Sequence, residues 1–448
     1  MSKVTSKELY KQNKKIYGEL HPYVIWLRIR MSFFAAIFYI LFSPLKVIKR
    51  MIYYLRRTCT KYIINWRFNA FIKANKGRKV SDFIKPIALY LPQYHEIPEN
   101  NEWWGQGFTE WTNVRKAQPL FAGHYQPHIP HKDIGYYDLS DINVMRRQVQ
   151  MAQKYGIYGF CFYYYHFADG KRLLEKPINN WLNAKDIDFP FCFAWANENW
   201  TRSWDGSNKQ VIMPQDYDEK NMLNMLKDML PAFRDKRYIK IDNKPLLLVY
   251  RAEIIPQIKK LSAQWRNIIK ESGFEDIYLV SMQNFEQKNP HNMGFDAAVE
   301  FAPQAIKKLC NFNINGPLSS VSQYNATVFH MDEILHKMIY CTSVSYPRIK
   351  CVCPSWDNTP RRGKKFPKLV FEATPEKFNN FMQLAIKETL SYRAIPKFAP
   401  VQEFVFINAW NEWGEGAHLE PDEKYGYEWL EIINNIQNQP VEKLKNKQ

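Results

Sequence analysis

Glu412 and Glu415 stand three residues apart in the run Phe404-Val405-Phe406-Ile407-Asn408-Ala409-Trp410-Asn411-Glu412-Trp413-Gly414-Glu415-Gly416. An apolar, strand-like segment there empties into a loop of tryptophans and glycines. Two carboxylates around one small space are the usual machinery for breaking or remaking a glycosidic bond. That chemistry needs one carboxyl ionised and one protonated at working pH, which mutual repulsion and unequal burial can supply. Tryptophan combines an apolar face with one polar atom and suits a sugar ring. Scattered acids on a solvated loop are common, but such loops seldom set residues like Trp410 and Trp413 against their acids.

Short apolar runs ahead of these loops must position them. From about residue 84 the chain alternates such runs with longer amphipathic segments, the pattern of α/β architecture. Candidate strands are 87–91, 159–163, 191–195, 246–250, 277–281, 297–301, 350–353 and 404–408. Helices are expected over 143–155, 219–233, 254–272 and 376–390, with Asp141 as a cap for the first and Gly156 as its stop. The long segment 311–340 is expected to hold more than one helix. Eight strands with intervening helices predict a (β/α)₈ TIM-like barrel, whose chemistry collects at the C-terminal ends of the strands. A doubly wound sheet is the competing fold, but no glycine-rich turn that would cradle a nucleotide phosphate follows any strand.

The expected strand ends are chemically loaded. Strand one runs into Tyr90, Tyr94 and His95, and strand two into Tyr164 and His166. Strand three runs into Trp195, Asn197, Glu198 and Trp200, strand seven into Trp356 and Asp357, and strand eight into Trp410, Asn411 and Trp413. All of these are candidate substrate-binding residues, although tyrosines at strand ends also pack well. Glu110, in an aromatic loop after strand one, could bond sugar hydroxyls or pair with Arg115. His418 and Glu420 could buttress the catalytic loop. His95, His166 and His418 lack the local spacing of zinc motifs, so neither a metal nor another cofactor is expected.

The charge is concentrated at one end. The 448 residues carry a net charge of +18, yet residues 1–80 hold 18 Lys or Arg against Glu8 and Glu19, a net of +16. Nucleic-acid binding would want basic residues spread over a folded surface, whereas these interleave with the apolar run 32–45. At fourteen residues that run is short of the roughly twenty a spanning helix needs, and no cleavage pattern of a secretory signal follows it. Beyond Pro44, Val47, Ile48, Met51, Ile52, Tyr53 and Leu55 among Lys49, Arg50, Arg56 and Arg57 read as a basic amphipathic helix. The expectation is residues 1–80 as a helical extension lying on an anionic membrane, or packed on the rest of the chain or on a partner protein, and residues 81–440 as the barrel. Seven unpatterned cysteines suit a reducing compartment. Together these place the chain in the cytoplasm, peripheral on the inner face of the cytoplasmic membrane. Aromatic residues make up 16% of the chain, more than a core requires, and fit a carbohydrate partner.

The stretches Ala88–His95, Trp103–Trp111, Gly159–Tyr165, Phe193–Trp200 and Asn411–Gly416 together resemble the WbsX-like proteins of bacterial polysaccharide and O-antigen loci. More distantly the chain is similar to the endo-α-mannosidases of glycoside hydrolase family 99. The resemblance spans most of residues 85–425 and leaves out the basic extension. It implies a barrel enzyme acting with retention on α-glycosidic bonds of mannose or rhamnose type, in O-antigen, lipopolysaccharide or capsule synthesis or processing. The relatives' loop Asn-Glu-Trp-x-Glu-Gly falls on Asn411–Gly416, which makes Glu412 and Glu415 the implied catalytic pair. In that implied mechanism the first glutamate takes a proton from the sugar's own 2-hydroxyl, giving a 1,2-anhydro intermediate. The second protonates the departing oxygen and then deprotonates the acceptor. Gly414 stands where the mammalian-type hydrolases often carry His. The alternatives are a glycosyltransferase with an activated donor and perhaps a lipid-linked glycan acceptor, and a non-catalytic carbohydrate-binding protein.

Overall fold

The structure, a computed structural model, describes residues 45–202, 207–284, 288–303, 319–321, 326–330, 344–362 and 368–444. The apolar run up to residue 44, Cys310, Cys341 and most of 311–340 lie outside these.

Eight parallel strands close into a barrel: β1 (Lys85–Tyr90), β2 (Gly159–His166), β3 (Phe191–Trp195), β4 (Lys244–Val249), β5 (Tyr278–Gln283), β6 (Ala297–Glu300), β7 (Arg348–Val352) and β8 (Phe404–Ile407). Each pairs with its sequence neighbours, and β1 closes the ring by pairing with both β2 and β8, Ile87 lying opposite Gly159 and Phe406. All eight expected strands are present, with no end shifted by more than three residues. They read as continuous apolar runs because both faces are buried, one in the barrel and one under the helices. The β2 strand is buried along its whole length.

With α2 (Pro98–Trp104) and α3 (Glu110–Lys116) set in the loop after β1, the outer layer contains α1 (Leu45–Ala74), α4 (Ile142–Lys154) and α5 (Glu175–Asn183). It continues with α6 (Glu219–Arg234), α7 (Ile258–Glu271), α8 (Pro375–Tyr392) and α9 (Glu428–Asn438). Asp141 caps α4 by accepting from the Asn143 amide at 2.9 Å, and Gly156 takes the left-handed φ of +80° that stops it. In the segment 311–340 the described pieces are strands rather than helix. Ser319–Val321 and Ala326–His330 join Lys368–Glu372 and Trp356–Asp357 in a small sheet at the catalytic end.

The basic extension is not a free arm at its C-terminal end. Ile64, Phe68 and Ile72 of α1 are buried in the same apolar core as the barrel. Lys387 of α8 lies over the Phe68 ring at 5.3 Å, and Arg67 lies over Tyr392 at 5.3 Å. No helix among the described residues is long and apolar enough to cross a membrane.

Candidate active site

The loop after β8 is a tight hairpin. Asn411 and Glu412 pair antiparallel with Ala417 and His418, and the turn between them is a single 3₁₀ turn, Trp413–Glu415. That turn brings Glu412 and Glu415 to the same side. Gly416 ends it with φ +59°, and a Cβ there would stand 3.0 Å from the Asp357 backbone nitrogen, so only glycine fits. Asn411 pins the hairpin to the end of β1, its side chain accepting from the Leu91 amide at 2.8 Å and donating to the Leu91 carbonyl at 3.0 Å. Tyr94 donates its hydroxyl to the Asn411 carbonyl at 2.7 Å and accepts from the Trp413 amide at 3.1 Å.

Behind the loop sits Glu420. Its carboxyl accepts from Gln148 Nε2, Tyr137 Oη and Trp413 Nε1, each at 2.7 Å, and from Trp410 Nε1 at 3.1 Å. Burial pushes this carboxyl up to about 7, against four donors that favour the ionised form. The His418 ring stacks on Trp413 at 3.6 Å. Glu420 and His418 therefore hold the indoles of the loop and do not face substrate space.

In front lies a cavity of about 330 Å³ at the C-terminal end of the barrel. Glu412 and Glu415 line it together with Arg361, Tyr163, Tyr165 and Tyr250, and Trp104, Trp200, Gln93 and Glu198 are among the rest of its lining. Arg361 organises the acids. Its Nη2 lies 2.5 Å from Glu412, its Nη1 3.4 Å from Glu415, and its Nε donates to Glu110 at 2.7 Å. Glu110 begins α3, which Thr109 and Thr112 hold with a reciprocal cap. One guanidinium balances one carboxylate, so the cluster retains excess negative charge and favours taking up a proton. Burial pushes Glu412 up to about 8, Arg361 opposes the rise and the charge of Glu415 adds to it. Glu415 is raised for the same first reason. The proton belongs to the pair rather than to either residue alone.

Gly414 has a steric explanation. A Cβ on it would stand 2.2 Å from Glu110 Oε1 and 2.9 Å from Arg361 Nε, so the ion pair occupies the space a side chain would need. Arg361 itself hangs from Asp357, whose Oδ1 accepts from the Thr359 amide at 2.9 Å. The other oxygen of Asp357 meets His124 Nε2 at 2.7 Å and Gln126 Nε2 at 2.6 Å. Burial would raise this carboxyl, but its bonds to His124, Gln126 and Thr359 outweigh that and hold it below the usual range.

The structure divides the sequence-derived candidates. Glu198, Trp200, Glu412 and Glu415 line the cavity. Glu110 reaches the cluster through Arg361 and does not pair with Arg115, which lies over Tyr136 at 4.0 Å. The rest are packed or bonded elsewhere. Tyr90 donates to Gln148 at 2.6 Å under α4. Tyr164 carries Arg172 over its ring at 4.8 Å, and His166 Nε2 bonds Asn221 at 2.9 Å. Trp195 turns its indole outward to Trp265 of α7. Asn197 ties the end of β3 to Arg251, accepting from its amide at 2.7 Å and donating to its carbonyl at 3.0 Å. Tyr94, Trp356, Asp357, Trp410, Asn411 and Trp413 are buried supports. His95 is buried as well, and burial pushes it down to about 4.

A period-two count along the strands would have recovered several of the residues missed. Tyr163 and Tyr165 point into the barrel where Tyr164 points out, and Ala196 lines the cavity where Trp195 does not. Arg361, in the stretch Asp357-Asn358-Thr359-Pro360-Arg361-Arg362, carried no local signal, since only the fold brings it to acids fifty or more residues away.

His95, His166 and His418 do not converge. Among the described residues, the His, Cys, Asp and Glu donor atoms that do converge are those of His128, His418 and Asp422, within 4.8 Å of one another. There His128 Nδ1 and His418 Nε2 share a hydrogen bond of 2.8 Å. Cys161, Cys192, Cys351 and Cys353 are buried and unpaired.

The protein WxcX of Xanthomonas campestris pv. campestris (strain B100), described as uncharacterized, is 40% identical over 353 residues. That match covers 77% of this chain and 48% of WxcX, so the chain spans about half the length of the curated relatives it matches. A solved glycoside hydrolase-like protein shares the fold, with a TM-score of 0.52 at 13% identity over 80% of this chain and 94% of that one. The GH99 endo-alpha-mannosidase of Bacteroides thetaiotaomicron superposes with a TM-score of 0.49 at 13% identity, covering 80% of this chain and 97% of its own. The profile of the family Glycosyltransferase WbsX matches residues 86–433. The chain belongs to the WbsX glycosyltransferase family.

Proposed function

We propose that this protein is a retaining carbohydrate-active enzyme acting on α-glycosidic bonds of mannose or rhamnose type in bacterial surface polysaccharide, with Glu412 and Glu415 as its catalytic pair. One observation carries the reading: both carboxyls line one aromatic-walled cavity and rest on adjacent nitrogens of one guanidinium. Tyr163, Tyr165, Trp104 and Trp200 supply faces for sugar rings beside the acids.

The two acids differ in the way the reaction needs. Only 6% of the Glu412 side chain is exposed against 19% for Glu415, and Glu412 has the shorter contact to Arg361. Glu412 ionised against Arg361 is a base matched to neutral pH, able to take the proton of a 2-hydroxyl. Glu415, nearer the open side, is then the acid that protonates the departing oxygen. It recovers its proton from the incoming water or acceptor hydroxyl. Product release from capsule or O-antigen oligosaccharides by wild type and by Glu415→Gln tests this. The wild type should cleave or transfer an α-linked glycan and the variant should lose at least about 10²-fold. Silence of the wild type on every mannose- and rhamnose-type α-linkage would remove the hydrolytic version.

A second reading, transfer from an activated donor, is favoured by the name of the matching family. Calorimetric titration with nucleotide sugars separates the two, since a nucleotide donor must bind the free enzyme. A purely carbohydrate-binding role predicts that Glu412→Gln with Glu415→Gln leaves the host's surface polysaccharide unchanged. The charge of +16 over residues 1–80 supports action at the inner face of the cytoplasmic membrane, where a lipid-linked glycan would be the substrate.

A further inference from the structure

The outer face of α1 is without a partner in the described fold. Ile63 and Trp66 are 46% and 57% exposed, unlike most of the large apolar side chains among the described residues. With Ala70 and Lys73, both exposed, they follow at three- and four-residue steps and form one stripe. The stripe lies on the opposite side of the helix from Ile64, Phe68 and Ile72, which face the barrel.

The direction of α1 follows from its contacts. Phe68 meets Lys387, Lys61 acts on the charge of the same lysine, and Arg67 meets Tyr392. Phe71 then packs on Phe83, whose ring also lies under Arg393. The two helices therefore run the same way. Since α8 descends from the catalytic end to the start of β8, α1 descends with it and delivers the chain to β1. At 30 residues against 18, α1 is about 45 Å long and α8 about 27 Å. Its first turns pass beyond the start of α8, at the end of the barrel where the cavity opens.

We propose that α1 docks lengthwise on an anionic lipid bilayer through the stripe containing Ile63 and Trp66, which holds the catalytic cavity beside the membrane surface so that it takes glycan carried on lipid. The inference rests on the functional reading above for its substrate, but not for its docking surface. Charge selects the occupant. A second copy seated on the same stripe would bring two segments of +16 together, whereas anionic headgroups neutralise one. An exposed tryptophan beside basic residues is the composition of a helix that lies in the interface plane.

Co-sedimentation of the full chain with phosphatidylcholine vesicles, with and without phosphatidylglycerol, tests the proposal. Wild type should bind the anionic vesicles and release as salt shortens the screening length. Ile63→Glu/Trp66→Glu should weaken that binding about tenfold or more, while Lys259→Glu, on α7 across the barrel, should leave it unchanged. Both replaced residues are exposed, and an unaltered melting temperature shows that the variant folds. Wild-type retention by the folded double variant would overturn the proposal. So would a dimer that the double variant dissolves while vesicle binding persists, because the stripe would then belong to a second copy. Glu412→Gln should bind vesicles like wild type, so failure of the catalytic reading and failure of the docking surface are read separately.

Discussion

At the scale of single residues, Arg361 is the shared partner of Glu110, Glu412 and Glu415. It lowers the carboxyls of both Glu412 and Glu415 against the burial that raises them. Its removal must therefore move both ionisations upward. In Arg361→Met the acidic limb of the kcat/KM profile is expected to shift to higher pH, and activity at neutral pH to fall at least about 10²-fold. An unmoved limb would contradict the role given to the guanidinium. The same burial makes a stability prediction. The Glu412–Glu415 pair keeps a shared proton in the folded chain at pH values where both carboxyls of the unfolded chain are ionised. Its contribution is therefore fully present below the unfolded pKa and is lost as pH rises through the folded one. Urea unfolding followed between pH 5 and pH 9 should show stability falling with pH in wild type and falling less in Glu412→Gln. The two glutamates were legible in the sequence because three-residue spacing in a Trp- and Gly-rich loop is local information. Arg361 was not, because its meaning lies entirely in partners supplied by α3 and by the hairpin after β8.

At the scale of elements, the catalytic hairpin is held from behind by one buried carboxylate. Four donors converge on Glu420, two of them indoles of the loop itself. Glu420→Gln turns an amide donor toward groups that also donate. It is expected to cost roughly 2–3 kcal/mol in urea unfolding, with a larger loss in kcat than in KM because the loop shifts without leaving the site. A variant of wild-type stability and turnover would show that the four bonds do not hold the loop. Gly414→Ala probes the front of the same loop. Its Cβ collides with the Glu110–Arg361 pair, so kcat should fall by one to two orders of magnitude. Strand existence was readable from apolar runs. Strand facing is the finer signal, and the one-residue difference between Tyr164 and its neighbours Tyr163 and Tyr165 decides which aromatic ring lines the cavity. The small sheet that contains Trp356 and Asp357 was also hidden, since its short strands come from separated segments and resemble loop in sequence.

At the scale of the whole molecule, the basic extension and the barrel are one packed body over the second half of α1. Phe68 is 1% exposed in the shared core, so Phe68→Ala should destabilise the barrel itself by about 3–5 kcal/mol, seen in the melting of the full chain. An unchanged melting temperature would mean that α1 is an appendage after all. The sequence showed the extension's charge and its amphipathic start, but the docking of its end on α8 depends on a helix more than three hundred residues away. The fold gathers a pair of acids in one cavity at one end of the barrel. The central claim is that this pair breaks or remakes an α-glycosidic bond with retention. The most direct measurement is proton NMR of the anomeric signals during cleavage of an α-linked surface oligosaccharide, read before mutarotation. The α-anomer should appear first, and neither Glu412→Gln nor Glu415→Gln should produce it. A β-anomer as first product, or unchanged release by either variant, would contradict the account.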